Sequence, residues 1–224
     1  MRHLLTGAGS GIGAELATLL HERGDELVLL VRSQERAEEL VGRHPGATTV
    51  VADLADPDAL TSVRLPESLD SVVHAAGVVD LGTVAELGAD DWCDQLQVNL
   101  VAPALLTRLA LPALRAVRGT VVLVNSGAGL RAHPGWSAYA ASKHGLRALA
   151  DSLRGEELEH GVRVTSVYPG RTATPMQERV HEQEGREYDA SDWVRAETVA
   201  AAILHVLDLP RDATIPDLTV TPGP

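Results

Sequence analysis

A chain of 224 residues, 45% of them hydrophobic, has room for one substantial core and is too apolar to be disordered. Its formal charge of −12 argues against a nucleic-acid partner, which calls for a basic face. A single cysteine, Cys93, excludes an internal disulfide and fits a reducing compartment.

Short apolar runs alternate with longer segments of helical period. Six runs read as buried parallel strands: 2–6, 26–31, 48–52, 71–76, 120–125 and 162–168, all rich in Val and Leu. Helical patterns lie between them at 13–24, 33–43, 56–63, about 90–116 and 137–160, with stop signals at Gly24, Gly119 and Gly161. Residues 192–208 read as a last helix and 213–220 as a closing edge strand, where Pro216 is tolerable. This alternation predicts an α/β chain: a parallel sheet with helices on both faces, in one domain over 1–224. The segment 171–191 is polar and poorly periodic, so it is expected to be a substrate lid within that domain. With no leader and no run near 18 apolar residues, a cytoplasmic protein with no membrane partner is expected.

The stretch TGAGSGIG, residues 6–13, falls between the first strand and the first helix. Gly7, Gly9, Gly11 and Gly13 allow a tight turn and close approach to a pyrophosphate resting on the helix N-terminus. At the end of the second strand, Arg32 and Ser33 stand where an acid would select NAD. A guanidinium there suits a 2′-phosphate, which favours NADP(H) over NAD(H).

Of the nineteen basic residues one alone is lysine, Lys143, in YAASK at 139–143. Together with the glycine turn, this element resembles the shorter, single-domain type of the short-chain dehydrogenase/reductase family, over essentially the whole chain. Thr6 to Gly13 is similar to the family's T-G-x-x-x-G-x-G loop, with Ser10 and Ile12 inside it. Asp53 and Leu54 match the adenine-holding site, and HAAG at 74–77, with Ala76 and Gly77, stands where the family has N-N-A-G. Asn99 falls at the active-site asparagine, Ser126 ends the fifth strand, and Tyr139 and Lys143 form Y-x-x-x-K. Pro169, Gly170, Thr172 and Thr174 resemble the element lining the nicotinamide. His74 and Ala75 depart from the asparagine pair, so those side-chain contacts do not carry over. The C-terminus lacks the glycine-rich ending common in the family.

The resemblance implies a doubly wound, Rossmann-type parallel sheet of order 3-2-1-4-5-6-7, and an NADPH-dependent reductase acting on a small or medium carbonyl compound. Tyr139 is then the general acid, Ser126 holds the carbonyl oxygen, and Asn99 orders a water that links Lys143 to solvent. Residues four apart on a helix share a face, so Lys143 is expected beneath Tyr139, lowering the phenol's pKa. The same ammonium would also reach the nicotinamide ribose, two tasks that a rigid guanidinium fork serves poorly. Arg131, His133, Trp136 and Met176 are candidate substrate contacts, with Val78, Val79 and Tyr188 on neighbouring loops. The histidines show no metal-ligand spacing, Cys93 is expected to pack within a helix, and a homodimer or homotetramer is implied. The alternative is a non-catalytic regulatory protein on the same fold that senses NADP(H).

Overall fold

In the computed structural model, described for residues 1–223, seven parallel strands form one sheet of order β3-β2-β1-β4-β5-β6-β9. These are β1 (Arg2–Thr6), β2 (Glu26–Val31), β3 (Thr48–Val51), β4 (Ser71–His74), β5 (Thr120–Val124), β6 (Arg163–Pro169) and β9 (Asp217–Val220). The register aligns Val28, Leu4, Val72, Val121 and Val164 in one row across the sheet. Side chains alternate between faces along each strand, so this row and the next enter different cores. The first row packs with Leu106, Ala110 and Leu114 of α5 (Ala102–Val117) and Leu146, Ala150 and Leu153 of α6 (Ser137–Glu156). The row of Leu29, Leu5, Val73 and Val122 packs with α1 (Gly11–Glu22), α2 (Gln34–Arg43) and α8 (Ala196–Leu207). Every position in the two rows named here is buried, which is why these strands read as continuous apolar runs.

The helix predicted near 90–116 is α4 (Ala89–Leu96), a π-helical turn at Gln97–Val101, and α5 in one continuous run. Ala89–Val117 holds no run of 18 apolar residues, yet it is long and apolar enough on average to cross a membrane by length and composition. Its buried face is engaged as a core helix: Ala102, Leu106, Ala110 and Leu114 are fully buried, and 39% of the apolar window lies inside the fold. Cys93 is exposed on α4 rather than packed.

Between β6 and β9 the chain is more ordered than its polar sequence suggests. The expected irregular segment contains β7 (Thr172–Ala173) and α7 (Pro175–Glu184), and β7 pairs in parallel with β8 (Val194–Arg195). Thr174 caps α7 by accepting from the Gln177 N–H, Pro175 takes the first helical position, and Gly185 ends it in the left-handed region at φ 64°. The expected last helix begins later than its pattern, because Ala190–Asp192 is a 3₁₀ turn and Val194–Arg195 is strand.

Candidate active site

The C-terminal ends of the strands open onto a cleft of about 1310 Å³. It lies where β1 and β4 are neighbours and the winding reverses, the position at which doubly wound sheets bind ligands. Gly7 has φ 74°, and a Cβ there would sit 2.6 Å from the Ala76 nitrogen. A Cβ on Gly13 would sit 2.3 Å from the Gly7 carbonyl oxygen. Both glycines therefore serve the close packing of turn, helix and β4 loop, and Gly7 lines the cleft with Gly9, Ser10, Gly11 and Ile12, whereas Gly13 does not. Thr6 is buried behind this wall and its hydroxyl accepts from the Ala76 N–H at 3.1 Å, fixing the turn to the 75–77 loop.

Arg32, Asp53, Leu54, Ala76 and Gly77 all line the cleft, as do Pro169, Gly170, Thr172 and Thr174. Ser33 does not; it caps α2, accepting from the Arg36 N–H at 3.3 Å. The sequence reading missed Arg36, which also lines the cleft and lies 3.6 Å from a Cβ built on Gly9. One helical turn beyond Arg32, it brings a second guanidinium to the ribose end of the cleft.

At the other end, Ser126 follows β5, and Tyr139 and Lys143 project from one face of α6, with the ammonium 5.7 Å from the phenol ring centre. All three line the cleft, and Tyr139 and Lys143 are nearly fully buried. Burial pushes the Tyr139 phenol up, which the neighbouring Ser126 hydroxyl partly opposes. Burial also lowers Lys143 to about 8, and its Nζ donates to the Val124 carbonyl at 3.1 Å. The phenol's pKa is therefore moved up rather than down as expected, with desolvation the largest cause. The Ser126 hydroxyl accepts from the Ala128 N–H at 3.1 Å, which leaves its own proton free to donate.

Asn99 lies at the centre of the π-helical turn, 1% exposed, and is not part of the cleft wall. Its Oδ1 accepts from the Val78 N–H at 2.9 Å, and its Nδ2 donates to the Val78 carbonyl at 2.9 Å and to Ser142 Oγ at 3.0 Å. Its side chain is spent on holding the 77–79 loop against α6. Asn125, which the sequence reading passed over, does the same for Ser126 and Lys143. It accepts from the Ser126 N–H at 2.9 Å and donates to the Lys143 carbonyl at 3.1 Å. His74 points away from the cleft: its Nε2 meets Thr107 Oγ1 of α5 at 2.8 Å, and burial lowers it to about 3, so it is neutral.

His133, Trp136, Met176, Val78 and Val79 line the cleft as expected, whereas Arg131 is exposed and lies outside its wall. Tyr188 stacks edge-on against His181, 5.3 Å between ring centres, and also lies outside.

A glycine turn on a helix N-terminus, a Ser–Tyr–Lys set and a long cleft between them fit a dinucleotide and a reacting group side by side. They define a nicotinamide-dependent oxidoreductase of the doubly wound type. The sequence profile of the short chain dehydrogenase family matches residues 2–185, and the chain belongs to that family. It is 34% identical to the dehydrogenase/reductase SDR family member 7B of Bos taurus over 87% of this chain and 65% of the bovine one. It is 35% identical to the oxidoreductase UcpA of Escherichia coli K12 over 82% of this chain and 74% of that protein. Among solved structures, a short-chain dehydrogenase/reductase from Vibrio parahaemolyticus is similar at TM-score 0.85 and 27% identity, covering 97% of this chain and 95% of that one. A serine dehydrogenase complexed with NADP+ shares the fold at TM-score 0.88 and 23% identity, with 99% and 95% covered.

Proposed function

We propose that this protein reduces a small or medium carbonyl compound to the alcohol at the expense of NADPH. The observation that carries the reading is the convergence of Ser126, Tyr139 and Lys143 on the cleft that the glycine turn also lines. When bound, the dihydronicotinamide supplies the hydride to the carbonyl carbon.

The chain's own residues do the rest. The Tyr139 phenol, kept protonated by burial, gives its proton to the carbonyl oxygen as that oxygen gains charge. The free hydroxyl proton of Ser126 holds the same oxygen. Lys143 spends one donor on Val124 and keeps two for the phenol and the nicotinamide ribose. At about 8, its pKa leaves the ammonium mostly charged at neutral pH, where it supports the phenolate left after proton donation. Asn99, its Nδ2 hydrogens and its Oδ1 engaged by Val78 and Ser142, acts as a positioning residue rather than through its side chain on a water. Residues 171–191, with α7, form the substrate lid of a single catalytic unit.

Arg32 and Arg36 are assigned to the 2′-phosphate, since two guanidinium groups at that end of the cleft favour charge-assisted, bidentate contacts. The test is steady-state kinetics with NADPH and NADH on wild type, Arg32→Ala and Arg36→Ala. NADPH preference should fall at least tenfold in each variant while NADH activity persists. Unchanged preference in both would remove the NADP assignment. Exposed Val101 and Val117 on the Ala89–Val117 helix support a homodimer or homotetramer through that helix and α6, to be read by light scattering.

A further inference from the structure

The lid side of the cleft carries charge that the mechanism above does not use. Arg171, just before β7, lines the cleft, and its guanidinium carbon lies 5.9 Å from the Trp136 ring centre and 5.4 Å from that of Trp193. Its Nη2 donates to Glu184 Oε1 at 2.6 Å, at the end of α7. Its Nη1 is buried with no hydrogen-bond partner among the described residues. A buried N–H pair on a charged group without an acceptor is costly and uncommon, and it marks a place for one.

The charge balance gives the sign. Glu184 is shared by Arg171 and Arg186, the latter at 3.8 Å, so the trio retains one positive charge. Arg179 also lines the cleft, facing Asp80 at 3.7 Å. In a chain of net charge −12, this is a local reversal of sign. The location gives the role. Trp136 packs edge-on against Tyr139, 5.8 Å between ring centres, so the proton donor and the guanidinium share one indole as neighbour. A molecule whose carbonyl meets Tyr139 can pass Trp136 and reach Arg171 with its far end.

We propose that the substrate carries a carboxylate, a few carbons from the carbonyl, that docks on the Nη1 side of Arg171. This rests on the carbonyl-reductase reading and narrows it to oxo-acids. Trp136 and Trp193 confine the guanidinium, and Glu184 fixes one edge of its fork, leaving the other edge for the anion. Glu184 does not cancel the site, because Arg186 shares its charge.

The test uses matched pairs: 4-oxopentanoate, 5-oxohexanoate, 6-oxoheptanoate and 7-oxooctanoate, each against its methyl ester. Wild type should favour the acid of at least one pair by roughly 10- to 100-fold in kcat/KM, the range expected for a hydrogen bond to a charged group. Arg171→Gln should bring that acid-to-ester ratio to about one, Arg171→Lys should keep part of it, and Glu184→Gln should keep it or raise it. If Arg171 only latches the lid, acid and ester fall together in Arg171→Gln and the ratio stands, which overturns the proposal. A wild type with no acid preference in any pair overturns it as well. Binding is read separately by tryptophan fluorescence of the NADP+-loaded protein, since two of its three tryptophans flank Arg171. Acid-selective quenching that Arg171→Gln abolishes upholds the anion site even without turnover, a result that would instead count against the reductase reading. Equal response to acid and ester removes the site whatever the turnover.

Discussion

The catalytic floor and the lid of this cleft handle their polar groups in opposite ways. On the floor the side chains of Asn125, Asn99 and Lys143 are tied to backbone: Asn125 to Ser126 and Lys143, Asn99 to Val78, Lys143 to Val124. In the lid, Arg171 Nη1, Glu184 Oε2 and Trp193 Nε1 are buried without hydrogen-bond partners among the described residues. A satisfied network holds one geometry, whereas an incomplete one is built to be completed. Positions fixed before substrate arrives serve the shared chemistry; positions left open serve the choice of substrate.

The comparison breaks first at Lys143. Lys143→Arg should fold yet lose turnover by roughly 10³-fold, since a planar fork cannot serve the buried contacts of an ammonium. Lys143→Met should be equally inactive but melt higher than wild type. Holding that ammonium at about 8 rather than 10.5 costs about 3 kcal/mol at neutral pH. Because the folded value lies below the unfolded one, this cost is full below pH 8 and fades toward 10.5; calorimetry at pH 7 and 10 reads it. A variant that is inactive and also less stable at pH 7 would show that the floor is not under this strain.

A second effect concerns rate against pH. Reductive kcat/KM should decline as pH climbs through about 8, where Lys143 loses its proton, and a flat profile to pH 10 would separate the ammonium from the chemistry. Next in size, Asn125→Ala leaves the Ser126 N–H and the Lys143 carbonyl without their partner. It should cost about 1–3 kcal/mol by denaturant unfolding and lower kcat more than it raises KM. The smallest effect is at His74, neutral in the fold because burial lowers it to about 3. The unfolded chain takes up that proton below about 6.5, so stability should fall as pH drops from 6.5 toward 3. His74→Asn should flatten the loss between pH 6.5 and 5, by about 2 kcal/mol at pH 5, in thermal melts.

The same contrast explains what the sequence disclosed. Buried parallel strands announce themselves as Val and Leu runs, and their alternation with amphipathic helices made the parallel sheet legible, while its order came with the family resemblance. The Tyr139–Lys143 spacing and the glycine turn were legible because helix period and turn geometry are local. Asn125 and the engagement of Asn99 were not, since the bonds from Asn125 to the Lys143 carbonyl and between Asn99 and Val78 join groups many residues apart. The direction of the Tyr139 shift was not legible for a related reason: the spacing displays the ammonium but not the burial that raises the phenol's pKa. The lid was under-read although its signals were present. Thr174–Pro175 and Gly185 mark the ends of α7, but its polar face gave no apolar period to connect them. Arg171 stood unnoticed in YPGRTAT, because only the folded chain brings Trp136, Trp193 and Glu184 around it.

The most direct measurement is NADPH consumption across a panel of carbonyl compounds by wild type and Tyr139→Phe, with NADPH affinity measured alongside by fluorescence. The account expects stoichiometric alcohol formation by wild type and a loss of roughly 10³-fold on removing one hydroxyl, with affinity unchanged within about twofold. Tight NADPH binding without turnover of any carbonyl by wild type, or a Tyr139→Phe protein as active as the parent, would contradict it.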